Sequence, residues 1–314
     1  ITWFVLLTIY YRSKAFHKQK RLISQEKIMH SDLWVEEKFQ DFLGLKFKVE
    51  KVLFSGKSEF QTIDVVETKG HGKMLLNDGL IMVTERDEFA YHDMIVHVPL
   101  FVHPAPKNVL IIGGGDGGTA REVLRHTGVE KCTMVEIDAM VVEACRQHIP
   151  QTSKDLDHEK MQLIIGDGVE FVKQTTEKFD VIIVDSTDPI GPAQPLFGEA
   201  FYQDVFNCLT DDGIVVSQGE SSWYAMDIQQ SLLTVLNAVF PQNYLYSFSN
   251  LTYPGGLWSF TFASKQYHPV NDFDEQRVAA SGLDFQYYNQ ALHSAAFALP
   301  SFVKKGLTGL IDND

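Results

Sequence analysis

Cysteine is nearly absent from this chain: Cys132, Cys145 and Cys208 are the only three among 314 residues. An odd, widely spaced set excludes a disulfide framework, offers no metal-ligand spacing, and fits buried filler positions in a reducing compartment. Also missing is an apolar run of the ~20 residues that a membrane-spanning helix needs. The stretch from Trp3 to Tyr11 falls well short and leads straight into Arg12, Lys14, Lys18, Lys20 and Arg21. Positive charge is scarce elsewhere. The 27 Lys and Arg face 41 Asp and Glu, a net charge of −14. With no basic stripe in the body of the chain, a nucleic-acid surface is disfavoured. Internal repeats and low-complexity tracts are lacking as well. What remains is a cytoplasmic globular protein with no nucleic-acid or membrane partner, long enough for one large domain and a small one.

The first residues differ in character from the rest. Through Lys27 they carry six basic residues and one acidic, and the chain opens on Ile1. The expectation is that residues 1–28 are upstream translated or appended sequence, poorly ordered, with Met29 as the natural start.

What is present begins with strand-like alternation from residue 34: 47–54, 62–68, 73–76 and 80–83, separated by turns at 55–57, 69–72 and 77–79. This predicts a small antiparallel β domain over 29–100, ending in a connecting helix from about Asp87 to Val98 that Pro99 closes. From Lys107 the period changes. Strands at 109–112, 132–137, 161–165, 179–185 and 213–217 alternate with helices near 118–126, 139–148, 168–175, 198–209 and 227–239, and a hairpin at 244–248 and 258–263 follows. The reading is α/β: an S-adenosylmethionine-type doubly wound, mostly parallel sheet, Rossmann-like and catalytic, over 101–314.

The segment from Val109 to His126 carries the strongest single signal. Four apolar residues make a buried strand, Gly113, Gly115 and Gly118 match G-x-G-x-x-G, and Thr119 opens a helical pattern. Such a turn lays an adenosine-containing ligand over backbone N–H groups. Asp116, inside the loop, would repel a pyrophosphate and attract a cation, which favours a sulfonium compound over a dinucleotide. Acidic residues then recur where strands end: Glu136 and Asp138, Asp167, and Asp185 and Asp188. A strand-end Asp is most often a helix N-cap, but five at successive strand ends exceed what capping needs. In open α/β sheets this is the ligand-binding edge.

Seven strings strengthen the case: TERDEFAYHDM (84–94), IIGGGDGGTAREV (111–123), VEID (135–138), GDG (166–168), DSTDPIGP (185–192), QGES (218–221) and YYNQALHSAAFALP (287–300). Together, in order from about Trp34 to Lys305, they make the chain similar to the spermidine synthases, with His92 in YHDM closer to the bacterial branch. The resemblance implies transfer of an aminopropyl group from decarboxylated S-adenosylmethionine to putrescine, with the sulfonium a co-substrate and no cofactor, and a homodimer. It implies thioether-adenosine contacts at Gln61, Glu136, Asp167, Gly168 and Pro192. Polyamine contacts fall at His92, Asp116 and Asp185-Ser186-Thr187-Asp188, with Tyr91, Glu220 and Tyr253 also lining the cleft. Asp185 falls on the proton acceptor.

The chemistry needs these residue types. Putrescine is a dication, and an ammonium has no lone pair, so one amine must surrender a proton to a carboxylate before it attacks. Asp185 takes that role, the Tyr91 and Tyr253 hydroxyls direct the nitrogen, Glu220 anchors the distal ammonium, and Asp116 meets the aminopropyl amine while repelling a donor that keeps its carboxylate. Trp223 and Tyr224 are expected to pack, His293 to be structural, and Asp138 to support Glu136. Three alternatives stay open: a putrescine N-methyltransferase, a synthase for longer acceptors, and a non-catalytic polyamine- or nucleoside-binding protein.

Overall fold

The backbone runs through two sheets. The computed structural model describes residues 32–189 and 191–313. The chain divides into Ile1–Leu33 and Trp34–Asp314, and both sheets are built from the second unit, with Leu33 at its margin. The expectation for residues 1–28 lies outside the described residues.

The first sheet is a five-stranded antiparallel meander, β1 (Leu33–Phe39), β2 (Leu43–Lys57), β3 (Thr62–Thr68), β4 (Gly72–Asn77) and β5 (Leu80–Thr84), in sequential order. Its alternation sorts side chains by face. Ile63, Val65, Leu75 and Val83 pack against Val141, Ala144 and Cys145, whereas Val66, Met74, Leu76 and Ile81 face Val35 and Phe47. Each fully buried aliphatic among them contributes about 1.5–3 kcal/mol.

Helix α1 (Glu88–Val102) crosses to the second sheet. It runs through Pro99 instead of closing there. The cost of a proline inside a helix, ~3 kcal/mol, is offset by burial on nearly every side of this helix. Long-range partners serve its backbone: the Tyr246 hydroxyl donates to the Met94 carbonyl (3.0 Å), and Arg277 donates to the carbonyls of Leu100, Phe101 and His103 at the C-terminal end.

The second sheet has seven strands in the order β11-β12-β10-β9-β6-β7-β8: β6 (Asn108–Gly113), β7 (Lys131–Glu136), β8 (Met161–Ile165), β9 (Phe179–Asp185), β10 (Leu209–Gln218), β11 (Gln242–Ser249) and β12 (Leu257–Ser264). Strands β6 to β10 are parallel, and β11 and β12 add antiparallel at the β10 edge. This is the Rossmann-like arrangement expected, with a small antiparallel sheet before it. Helices α2 (Gly118–Leu124), α3 (Ala139–His148), α5 (Gly168–Gln174), α6 (Glu199–Cys208) and α7 (Met226–Val239) follow successive strands, with the short α4 (Pro150–Ser153) after α3. Val109 and Ile111 face the core shared with α1, while Leu110 and Ile112 face the core shared with α6 and α7. Burial on both faces is why β6 reads as a continuous apolar run. The sequence pattern predicts no helix after residue 239, yet α8 (Glu275–Ala280), α9 (Gln290–Ala296) and α10 (Ser301–Gly306) lie there.

The three cysteines are buried free thiols, and His293 is buried between the Tyr288 hydroxyl and the Pro269 carbonyl. Trp223, expected as a packing residue, is instead 58% exposed and lies over the Phe302 ring at 4.4 Å. Its indole meets one ring and then solvent. No helix among the described residues is long and apolar enough to cross a membrane.

Candidate active site

Strand order reverses between β6 and β9, and a cavity of about 190 Å³ opens at their carboxyl ends. The glycine loop forms its floor. Gly113 has φ 84°, and a Cβ there would lie 2.1 Å from the Asp185 carbonyl oxygen. The Gly114 N–H donates to that same carbonyl at 2.9 Å. Loop and carboxylate are therefore joined through the backbone.

Asp185 sits at the centre. Its Oδ1 accepts from the Tyr91 hydroxyl (2.7 Å) and its Oδ2 from the Thr119 hydroxyl (2.6 Å). Burial and the nearby Asp116 carboxylate raise its pKa, while His92 and the two hydroxyls oppose the rise. Across from it, the Tyr253 hydroxyl donates to the Met82 carbonyl at 2.7 Å. Both phenols have thus given away their only proton, and each oxygen has only lone pairs to offer a third group. Burial and surrounding carboxylates push both phenol pKa values up, so neither oxygen is ionised.

On one side of Asp185 lie Asp116 and His92. The Asp116 Oδ1 accepts the Gly118 N–H (2.9 Å) and faces His92 Nε2 at 3.5 Å; His92 Nδ1 meets Glu88 Oε2 at 2.5 Å. Burial works against charge on the ring, but Asp116 and Glu88 outweigh it and push its pKa up to about 10. His92 is therefore an imidazolium. Ligand-type atoms of His92, Asp116 and Asp185 lie within 4.8 Å of one another.

On the other side lie the residues suited to an adenosine. The Glu136 Oε1 accepts the Asp138 N–H at 2.8 Å, and burial pushes its pKa up to about 7. Asp138 caps α3 through Met140 N–H and also holds Gln61 Nε2 (3.1 Å) and Ser58 Oγ (2.7 Å), drawing the first sheet onto the second. Asp167 caps α5 through Val169 N–H (2.8 Å) and still lines the cavity beside Gly168. Capping and a place at the cavity wall coexist in Asp167. Pro192 lies in the 3₁₀ turn Gly191–Phe197.

The far end is acidic. Ser186, Thr187 and Asp188 line it, and Asp188 Oδ1 accepts from Gln218 Nε2 at 3.2 Å. The Ser186 hydroxyl is buried without a partner. Glu220 does not line the cavity. It is 1% exposed, one layer behind, with Oε1 accepting from the same Gln218 amide (3.1 Å). The carboxylate that lines this end beside Asp188 is Glu37 of β1, held by the Ile81 N–H at 3.0 Å. Burial, with a smaller contribution from Asp188, pushes Glu37 up to about 7. It belongs to no motif, although the alternation of β1 sets it on the same face as Val35 and Phe39. Asp87 was also missed: it accepts from the Leu251 N–H (2.9 Å) and the Thr252 hydroxyl, fastening the segment that carries Tyr253 to the start of α1.

The arrangement suits a cation at Asp185 and along the Asp188–Glu37 end, beside a pocket for an adenosine. Residues 88–275 match the family model described as spermine/spermidine synthase domain, and residues 33–85 match the one described as spermidine synthase tetramerisation domain. The polyamine aminopropyltransferase of Caldicellulosiruptor bescii is 46% identical over 274 residues, 87% of this chain and 98% of that protein. A crystal structure of spermidine synthase in complex with the transition-state analogue AdoDATO is similar with a TM-score of 0.87 and 44% identity, over 89% of this chain and 95% of that one. For the spermidine synthase of Thermotoga maritima the TM-score is 0.85 at 44% identity, over 88% and 95%.

Proposed function

Since this chain belongs to the spermine/spermidine synthase family of polyamine aminopropyltransferases, we propose that it transfers an aminopropyl group from decarboxylated S-adenosylmethionine to putrescine, giving spermidine and 5'-methylthioadenosine. The observation that carries this reading is the pair of phenols around Asp185. Their protons are committed to Asp185 and the Met82 carbonyl, so their oxygens and the carboxylate together match the N–H groups of an ammonium.

The substrate ammonium donates to Asp185, Tyr91 and Tyr253, and Asp185 takes one proton. The freed nitrogen lone pair attacks the aminopropyl carbon bonded to sulfur as the C–S bond breaks, and its electron pair stays on sulfur as the neutral thioether. The attacking nitrogen then carries the positive charge. Because the leaving group is already a sulfonium, the step calls for no acid and no cofactor. Holding both reactants in line supplies much of the acceleration. Glu136 receives the ribose hydroxyls, Gln61, Asp167, Gly168 and Pro192 frame the nucleoside, and Asp116 receives the aminopropyl ammonium. Asp188 and Glu37 anchor the distal ammonium, with Glu220 acting on Asp188 through Gln218. The free buried thiols suit a reducing compartment, the cytoplasm. Residues 33–85 serve assembly, with a C₂ homodimer as the smallest unit, because isologous pairing covers exposed strands.

Mass analysis of products from decarboxylated S-adenosylmethionine offered with putrescine, cadaverine or spermidine tests the reading, with intact S-adenosylmethionine alongside. Spermidine from putrescine is the expected product. Methylputrescine from the intact donor, or product only from spermidine, replaces the reading.

A further inference from the structure

Glu88 borders the cavity, yet its side chain is only 1% exposed and both oxygens are committed to protein. Arg121 grips it with two nitrogens, each at 2.9 Å, Gln151 Nε2 reaches Oε1 at 2.8 Å, and His92 Nδ1 meets Oε2 at 2.5 Å. Arg121 is itself fixed, donating to Glu122 (2.8 Å) and to the Gln151 carbonyl (2.9 Å). A buried carboxylate with no acceptor capacity left for a ligand acts through what it holds.

We infer that Glu88 and Arg121 form a positioning pair for the transfer reaction: anchored on Arg121, Glu88 fixes the His92 ring from behind, and the ring fixes the Asp116 carboxylate. This rests on the aminopropyl-transfer reading of the same cavity. The ring has nowhere else to go, since a Cβ on Gly118 would lie 2.1 Å from its Cε1. With one Asp116 oxygen held by His92 and the Gly118 N–H, the other is left to meet the aminopropyl ammonium. The groups facing His92 are Glu88 and Tyr91 from α1, Asp116 from the glycine loop and Asp185 from the end of β9, with Arg121 of α2 behind Glu88. Burial opposes the Glu88 charge, but His92 and Arg121 lower its carboxyl to about 2. Glu88 therefore stays ionised across the working range and keeps the ring charged. The ring in turn opposes the upward pull that burial and Asp116 exert on Asp185. Without the Glu88 charge, His92 becomes neutral at a lower pH, and above that pH Asp116 loses its charged partner.

The test uses full-length wild type, Glu88→Gln and Arg121→Lys, labelled with ¹⁵N-histidine, with the His92 resonances assigned from His92→Asn. Imidazole nitrogens are followed without substrate from pH 6 to 10, and steady-state kinetics are run over the same range. In the wild type His92 should stay protonated through about pH 8. In Glu88→Gln it should lose its proton about one to two pH units earlier. Arg121→Lys, which keeps a cation against Glu88, should stay close to wild type. In Glu88→Gln the KM for decarboxylated S-adenosylmethionine should rise roughly tenfold above the pH at which the ring becomes neutral and much less at pH 6.5. A Glu88→Gln protein with a lower melting temperature but an unchanged His92 titration and pH profile overturns the inference. So does a wild-type His92 titrating near 6.5, a result that needs no variant to fold. The titration is read without substrate, so a wild type that moves no aminopropyl group while His92 titrates as expected overturns the function and not the pair.

Discussion

Gly113 and Asp185, the last residues of β6 and β9, lie in register, and a Cβ on the glycine would come within 2.1 Å of the Asp185 carbonyl oxygen. The glycine turn and the Asp185 carboxylate thus share one joint. Gly113→Ala should cost about 2 kcal/mol or more, from the left-handed backbone and the clash together. The displaced Asp185 should lower kcat as well. Chemical unfolding and initial rates measure the two effects; an alanine protein with wild-type stability and turnover contradicts the joint.

Asp185→Asn should keep the fold and the affinity for methylthioadenosine but lower turnover by roughly two to four orders of magnitude, the range for loss of a general base. Titration calorimetry with methylthioadenosine separates binding from chemistry. Turnover near wild type would remove Asp185 from the mechanism.

Asp116 should set donor choice. Its charge repels the carboxylate that intact S-adenosylmethionine retains. In Asp116→Asn the ratio of KM for the decarboxylated donor to Kd for the intact one should rise by about tenfold or more, as one attraction and one repulsion vanish together. An unchanged ratio places selectivity elsewhere.

Two carboxyls lining the cavity should make stability and binding respond oppositely to pH. Burial pushes Glu37 and Glu136 from 4.5 up to about 7. Between those values the folded state holds more protons than the unfolded chain, so the free energy of unfolding falls as pH rises from about 4.5 to 7 and levels off above. A diammonium ligand favours the ionised form of Glu37. Putrescine affinity should therefore improve from pH 5.5 to 8, with proton release visible as different calorimetric heats in two buffers. Proton uptake on binding would reverse the sign and exclude the anchoring role of Glu37.

Turnover at saturating putrescine should climb from neutral pH into the alkaline range. Carboxylates that bind a dication also hold its protons, and deprotonation must precede attack. At still higher pH the distal amine becomes neutral and KM should rise. Glu37→Gln, more than Glu220→Gln, should blunt that rise. A rate flat from neutral to about pH 9 is incompatible with amine deprotonation in the limiting step.

Much of this was legible from residue order because it is local. β6, the glycine loop and α2 follow from an apolar run, three spaced glycines and a helical pattern, all within 109–126. The parallel strands follow from their apolar runs, and the carboxylates at their ends from the chain direction that every parallel strand shares. Asp138 and Asp167 cap their helices as a strand-end Asp tends to do, and both also serve the cavity or its Gln61 wall.

The rest was decided between residues far apart in the chain. Pro99 reads as a stop because proline lacks an N–H; that α1 continues depends on burial and on Arg277, 176 residues beyond Phe101, reaching its last carbonyls. Glu37 lies inside β1 and Glu220 two residues past the end of β10, and neither position by itself tells which carboxylate reaches the cavity. Glu37 borders the cavity because Ile81 holds it there, while Glu220 is turned behind Gln218. The phenols show the same division. Sequence marked Tyr91, but its proton goes to Asp185, 94 residues away, and that of Tyr253 goes to Met82, 171 residues away. Periodicity and turn chemistry act over a few residues and so determine the elements, their order and the edge where ligands bind. Which lone pair faces a substrate depends on what occupies the other side of the same atom, and only the folded packing supplies that neighbour.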